Sequence, residues 1–133
     1  MAERYFSSTD VEKLIPKLTA TMERVMGAHR EAMKIEGEMK AEQERITMTG
    51  GAAFDRAKWL ADQQRRDRLV ERVRAGLDAV TKLGGTPKDL EQGLVDFPHM
   101  REGREVNLCW KIGEKVIQYW HGLDEGYASR KPL

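Results

Sequence analysis

The fold turns on Val106-Asn107-Leu108-Cys109-Trp110-Lys111-Ile112-Gly113-Glu114-Lys115-Val116-Ile117-Gln118-Tyr119-Trp120-His121. Its first seven residues alternate apolar with mostly polar side chains, the period of a half-buried strand. Lys115 to His121 is rich in β-branched and aromatic residues, as strands are. Gly113-Glu114 between them is a Gly-X pair suited to a two-residue type II′ turn. That turn sets Trp110 against Ile117, Leu108 against Tyr119 and Val106 against His121 on one face. Asn107, Cys109, Lys111, Val116, Gln118 and Trp120 then share the other. A lone two-stranded hairpin is marginal in water. A third strand is therefore expected at Leu94 to Phe97, ended by Pro98 and returning through Glu102-Gly103.

The register also bears on chemistry. A lone Cys with a nearby His suggests a thiolate nucleophile. The two-residue turn places Cys109 and His121 on opposite faces, which excludes a catalytic pair; a three-residue turn would put them on one face. A lone Cys is more often a small buried hydrophobe, and that is the expectation for Cys109.

Upstream of the sheet the sequence is helical. Ser7 reads as an N-cap with Asp10 three residues on, a capping box, and Phe6 and Val11 sit where a hydrophobic staple places them. A helix starts at Ser8 and carries Val11, Leu14, Ile15, Leu18, Met22, Val25 and Met26 at helical spacing. Pro16 lies inside that run and predicts a kink. The stripe thins through Ala28, Ala32, Met33, Ile35, Met39 and Ile46. A helix reaching Thr47 would be about 40 residues and ~60 Å long, more than one small domain covers. Thr49-Gly50-Gly51 is the break. A second helix follows from about Ala53 to Leu83, with Phe54, Ala57, Leu60 or Ala61, Leu69, Val70, Val73, Leu77 and Val80 as its stripe. Gly84-Gly85 and Pro87 stop it. Lys88 to Gln92 is expected to add one helical turn before the sheet. An antiparallel αα-hairpin is the default for two helices so joined.

Four strings carry a family resemblance. They are Arg4-Tyr5-Phe6-Ser7, Gly93-Leu94-Val95-Asp96-Phe97-Pro98, the Arg104-Glu105-Val106 and Leu108-Cys109-Trp110 pieces with Tyr119-Trp120-His121, and Gly126-Tyr127 through Arg130-Lys131-Pro132-Leu133. Together they resemble a bacterial family catalogued as domain of unknown function 2203. The likeness covers both ends of the chain and the order of elements between them. It implies no established activity, cofactor or catalytic residue. One departure stands out: the family's residue after the His is usually acidic, and here it is Gly122. That weakens any site needing a carboxylate beside His121.

Composition bounds the rest. The chain has 133 residues and a net charge of +1 from 23 basic and 22 acidic residues. Such a balance gives no electrostatic reason to expect nucleic acid or an anionic membrane as partner. Charged residues make up 34% of the chain and mean hydropathy is −0.65, which suits long solvated helices. One Cys excludes an internal disulfide and fits a reducing compartment. No apolar run approaches the ~20 residues that span a bilayer, and no signal-peptide pattern opens the sequence. A cytoplasmic location is the expectation.

Three further features have plain readings. The segment Gln63-Gln64-Arg65-Arg66-Asp67-Arg68 lacks a large apolar residue. With no aromatic platform or motif beside it, it reads as a solvated face rather than a nucleic-acid contact. Met22, Met26, Met33, Met39 and Met48 can mark an adaptable surface but more often fill a core. His29 has no second His at i+4 and is read as an interface histidine, not a ligand.

The candidate site is the C-terminal cluster Asp96, Trp110, Tyr119, Trp120, His121, Asp124 and Glu125. His with carboxylates suits a metal or acid–base chemistry, although no spacing here fixes metal geometry and aromatics at strand spacing usually build a core. No phosphate loop, nucleophile elbow or CxxC is present, and no cofactor is implied. The sequence thus predicts one α+β domain over residues 1–133. A helical hairpin at about 8–83 precedes a small three-stranded antiparallel sheet and tail at about 93–133. The function expected is a non-enzymatic protein-interaction or assembly module, a homo-oligomer through the hairpin. The alternative is a small-molecule or metal-binding enzyme using the C-terminal cluster.

Overall fold

The computed structural model describes residues 2–51 and 53–133. Helix α1 (Ser8–Glu12) opens on the capping box: Ser7 accepts from the Asp10 backbone N–H, and the Asp10 carboxylate accepts from that of Ser7. Where the sequence predicts a kink, the chain breaks. Helix α2 (Ile15–Thr49) restarts with Pro16 in its first turn. Proline cannot donate back to the preceding turn, but at the start of a helix that N–H has no partner to lose. Gly50, in the left-handed region at φ 74°, ends α2, and Asp55 caps helix α3 (Arg56–Lys82) through the Lys58 N–H.

Together α2 and α3 form the expected antiparallel hairpin, and the seam between them runs in heptads. Along α2 the inward residues are Leu18, Thr21, Val25, Ala28, Ala32, Ile35 and Met39, all buried. Their alternating three and four steps are those of a coiled coil. Along α3 the same steps take in Trp59, Leu69, Val73, Gly76 and Val80, of which Leu69 and Val80 are buried. The expected stripe of α3 is thus partly corrected: Trp59 rather than Leu60 packs against α2. Leu60, Val70 and Phe54 are exposed, as is Met33 on α2. Gly76 allows the close approach, since a Cβ there would lie 2.2 Å from Val25 Cγ2.

The α+β class holds, but the sheet has five antiparallel strands rather than three. They are β1 (Thr86–Asp89), β2 (Leu94–Arg101), β3 (Arg104–Lys111), β4 (Tyr119–His121) and β5 (Lys131–Pro132), ordered β1-β2-β3-β4-β5. The helical turn expected at Lys88 to Gln92 is instead a strand end and a reverse turn. Asp89 holds it, its carboxylate accepting from the Glu91 and Gln92 N–H groups at 2.8 and 2.9 Å. Strand β2 also runs through Pro98 instead of stopping there. The N–H and C=O of one strand residue point to the same side, and Pro98 turns its C=O to the Phe6 N–H at 2.7 Å. Its missing donor therefore faces the edge that β1 has already left, where proline is tolerated. Glu102 and Gly103, both at positive φ, make the two-residue return to β3.

One face of the sheet bears Val95, Phe97, Leu108 and Trp110. It packs on Phe6, Val11, Ile15, Leu18, Met22, Met26 and Val80 to form the main core. A thinner cluster of Ala28, Ala32, Ile35, Met39 and Leu69 holds the hairpin farther out. Among the described residues no helix is long and apolar enough to cross a membrane.

Candidate functional site

The approach from β3 to β4 is where the structure departs most from the sequence reading. Asn107 pairs with His121 and Leu108 with Trp120, one residue out of the predicted register. A slip of one moves every side chain of a strand to the opposite face. The cause is a longer loop. Glu114 folds back so that its carboxylate accepts from the Lys111 N–H at 2.7 Å, while its carbonyl accepts from Trp110 Nε1 at 3.1 Å. The Ile117 N–H, expected to bond across the hairpin, instead donates to the Glu12 carboxylate at 2.8 Å. Only Tyr119 to His121 remain as strand. Cys109 and His121 consequently share a face, contrary to the predicted register.

That shared face holds a buried polar group. Asp96 stands opposite Cys109, and His121 reaches Asp96 Oδ1 through Nε2 at 3.1 Å. The His121 Nδ1 lies 2.8 Å from the Gly122 carbonyl oxygen. A carbonyl only accepts, so Nδ1 carries a proton. The Nε2–Asp96 contact must then hold a second proton, because a bare lone pair and a carboxylate oxygen repel. Asp96 and His121 are 3% and 2% exposed and Cys109 1%, so the group is shut off from water. Burial pushes the Asp96 carboxyl up, against the opposing pull of His121. Burial and the Asp96 charge push the Cys109 thiol up to about 12, with Arg130 opposing.

The covering layer is the segment after His121. Tyr119 is on the same face, and Arg130 lies 4.2 Å over its ring and 4.3 Å over that of Tyr127. Arg130 also donates to Glu114 at 2.9 Å. Lys131 pairs with Glu125 at 2.6 Å, and the Leu133 N–H donates to Gln118 at 2.9 Å. The cover is thus held by charge, stacking and two residues of strand rather than by an apolar plug.

The predicted cluster is divided. Asp96, Tyr119 and His121 meet on the covered face. Trp110 is in the main core, and Trp120 is on the same helix-facing side, flanked by Arg101 and Lys131, each 4.8 Å from the ring. Asp124 and Glu125 are exposed; Glu125 accepts from the Gly122 N–H at 2.7 Å. Cys109 and Arg130 are the members that the sequence reading left out. For Cys109 the register hid it. Arg130 stands in one of the family strings, but nothing local to it points to Cys109, and it arrives from the far end of the chain.

Chemically, the group offers a carboxylate, a thiol and an imidazole whose ligand atoms all lie within 4.8 Å of one another. It is unsuited to nucleophilic thiol catalysis. Both imidazole nitrogens are engaged elsewhere, and a thiol held near 12 is not ionised at neutral pH.

A second feature is an open groove of about 500 Å³ on the flank of the hairpin. Val25, Ala28, Leu69, Ala75, Gly76 and Ala79 floor it, and Arg24, Glu31 and Arg72 are at its rim. Three of the arginines of α3 pair within the molecule: Arg65 with Glu31, Arg66 with Asp67, and Arg74 with Glu71 and Asp78.

No match to the chain is found among curated proteins or among solved structures. A family model described as uncharacterized conserved protein (DUF2203) matches residues 4–133, and the chain belongs to that family.

Proposed function

We propose that the protein is a non-enzymatic assembly module of the bacterial cytoplasm whose hairpin pairs with that of a second copy. The observation that carries this reading is the thin core of the outer hairpin. Five buried residues form it, two of them alanines, with only Trp59 and Val73 half-buried against them. Burying Ile35, Met39 and Leu69 contributes roughly 1.5–3 kcal/mol each. Ordering each residue of α2 and α3 costs roughly 1–2 kcal/mol of backbone entropy. Helical hydrogen bonds offset roughly 0.5–1.5 kcal/mol of that per residue, and packed apolar faces must supply the rest.

A second hairpin supplies the missing face. The small, exposed residues Ala75 and Ala79 leave room for a helix to approach along the groove. Charge favours a copy of the same chain. In its outer part, residues 36–49, α2 has Glu36, Glu38, Glu42 and Glu44 against Lys40 and Arg45. In α3 the count from Arg56 to Lys82 is eight basic and four acidic residues. A two-fold pairing sets the acidic stretch of each copy beside the basic helix of the other. One unpaired thiol and no disulfide among the described residues support a reducing compartment.

Size-exclusion chromatography with light scattering tests the proposal. The expected mass at micromolar concentration is about twice the 15.2 kDa of the chain, and replacing Ala75 and Ala79 with Glu should return it to the monomer. A monomer in the unsubstituted protein overturns the reading.

A further inference from the structure

We propose that Asp96, Cys109 and His121 form a binding site for a divalent transition-metal ion of the zinc class, roofed by the C-terminal segment. Three neighbouring strands each contribute one donor of a different kind. The set of thiolate, imidazole and carboxylate suits zinc and cobalt and does not suit magnesium or calcium, which take oxygen alone. Two of the donors, His121 Nε2 and Asp96 Oδ1, already stand 3.1 Å apart, and all three lie within 4.8 Å. A tetrahedral ion sets its donors roughly 3.5 Å apart, so the widest gap closes by about 1 Å, the scale of a side-chain rotation.

The imidazole is arranged as a ligand's would be. Its Nδ1–H donates to the Gly122 carbonyl, which fixes the ring and leaves Nε2 directed at the other donors. Metal-bound histidines are held this way by their second nitrogen. The Gly122 N–H in turn donates to Glu125 Oε1 at 2.7 Å, which ties the same residue to the following turn.

Charge balance is the second argument. Without metal, the thiol holds one proton and the Asp96–His121 pair shares another. A divalent ion displaces both: the Cys109 S–H bond gives way to a metal–sulfur bond, and the shared proton leaves Nε2 and Asp96. Two positive charges enter and two leave, so the buried group keeps its net charge and no uncompensated ion is buried. Arg130 does not upset this balance, since Glu114 neutralises it at 2.9 Å. The fourth position falls to the second Asp96 oxygen or to a water.

The test uses the full chain stripped with a chelator and titrated with Co²⁺ alone, then with Zn²⁺ in competition and Mg²⁺ as control. The expected result is one Co²⁺ per chain, with a thiolate-to-cobalt absorption band. Uptake should release one proton from the thiol and one from the pair into unbuffered solution. Zinc should displace the cobalt, and magnesium should not. Cys109→Ser should remove the band and His121→Gln should weaken uptake at least ~10-fold, with circular dichroism reporting the fold of each. Absence of Co²⁺ uptake by the unsubstituted folded protein overturns the proposal, whatever the variants do. Uptake without a thiolate band, or an equal band in Cys109→Ser, overturns it too.

Discussion

Replacing His121 with Ala probes the buried group most directly. In the native protein its Nδ1–H satisfies the Gly122 carbonyl, and a proton is shared with Asp96. The substitution leaves Asp96, 3% exposed, without its partner. Removing one member of a buried pair costs roughly 3–5 kcal/mol, a large part of the ~5–15 kcal/mol that holds a domain together. At roughly 3–5 °C per kcal/mol for a chain of this size, the midpoint should fall by ~9–25 °C. His121→Asn keeps a donor and should recover about 1–2 kcal/mol.

The loss should depend on pH, with a defined sign. Burial already raises Asp96 above its ordinary 3.8, and His121 pulls it down. Without His121 it rises further. A carboxyl raised in the folded state adds stability that is complete below about pH 3.8 and is lost as pH climbs through its folded value. The Ala variant should therefore lose more stability between pH 5 and pH 7 than the native protein does. Adding Asp96→Asn should abolish that extra dependence. The assay is urea unfolding of chelator-treated protein followed by circular dichroism. A change smaller than ~0.5 kcal/mol at pH 7, the range of ordinary surface substitutions, would refute the reasoning. So would a penalty that grows as pH is lowered.

Two other outcomes follow from the packing. Gly76→Ala gains helix propensity of ~1 kcal/mol, but its Cβ meets Val25 Cγ2 at 2.2 Å. Overpacking of ~1–3 kcal/mol should win, and thermal melts should show a lower midpoint. Cys109, 1% exposed with its thiol near 12, should react with a thiol reagent at neutral pH far more slowly in the folded protein than in urea. Equal rates would mean that the roof does not close the site.

Local chemistry explains which parts of this molecule were legible in its sequence. The capping box at Ser7 and Asp10, the glycines that end α2, and the apolar steps from Leu18 to Met39 act over a few residues. A helix repeats the same short-range contacts, so its signals lie side by side in the chain. The strands from Leu94 and Val106, and the Glu102-Gly103 return, were readable for the same reason. Likewise Pro16 marked the break, although its neighbours decided that the helix would restart rather than bend.

Tertiary structure decided the face on which His121 lies. A two-residue turn at Gly113-Glu114 is locally reasonable, and it fails because Glu12, 105 residues earlier, takes the Ile117 N–H. That single distant hydrogen bond goes with a longer loop and a register shifted by one. Because side chains alternate along a strand, the shift moves His121 from the far side of the sheet to the face that Asp96 and Cys109 already share. Arg130 and the roof come from the other end of the chain, through contacts to Glu114 and Tyr119. Each element has its own local pattern, but their convergence depends on the closure of long loops, and no local stretch of sequence encodes that.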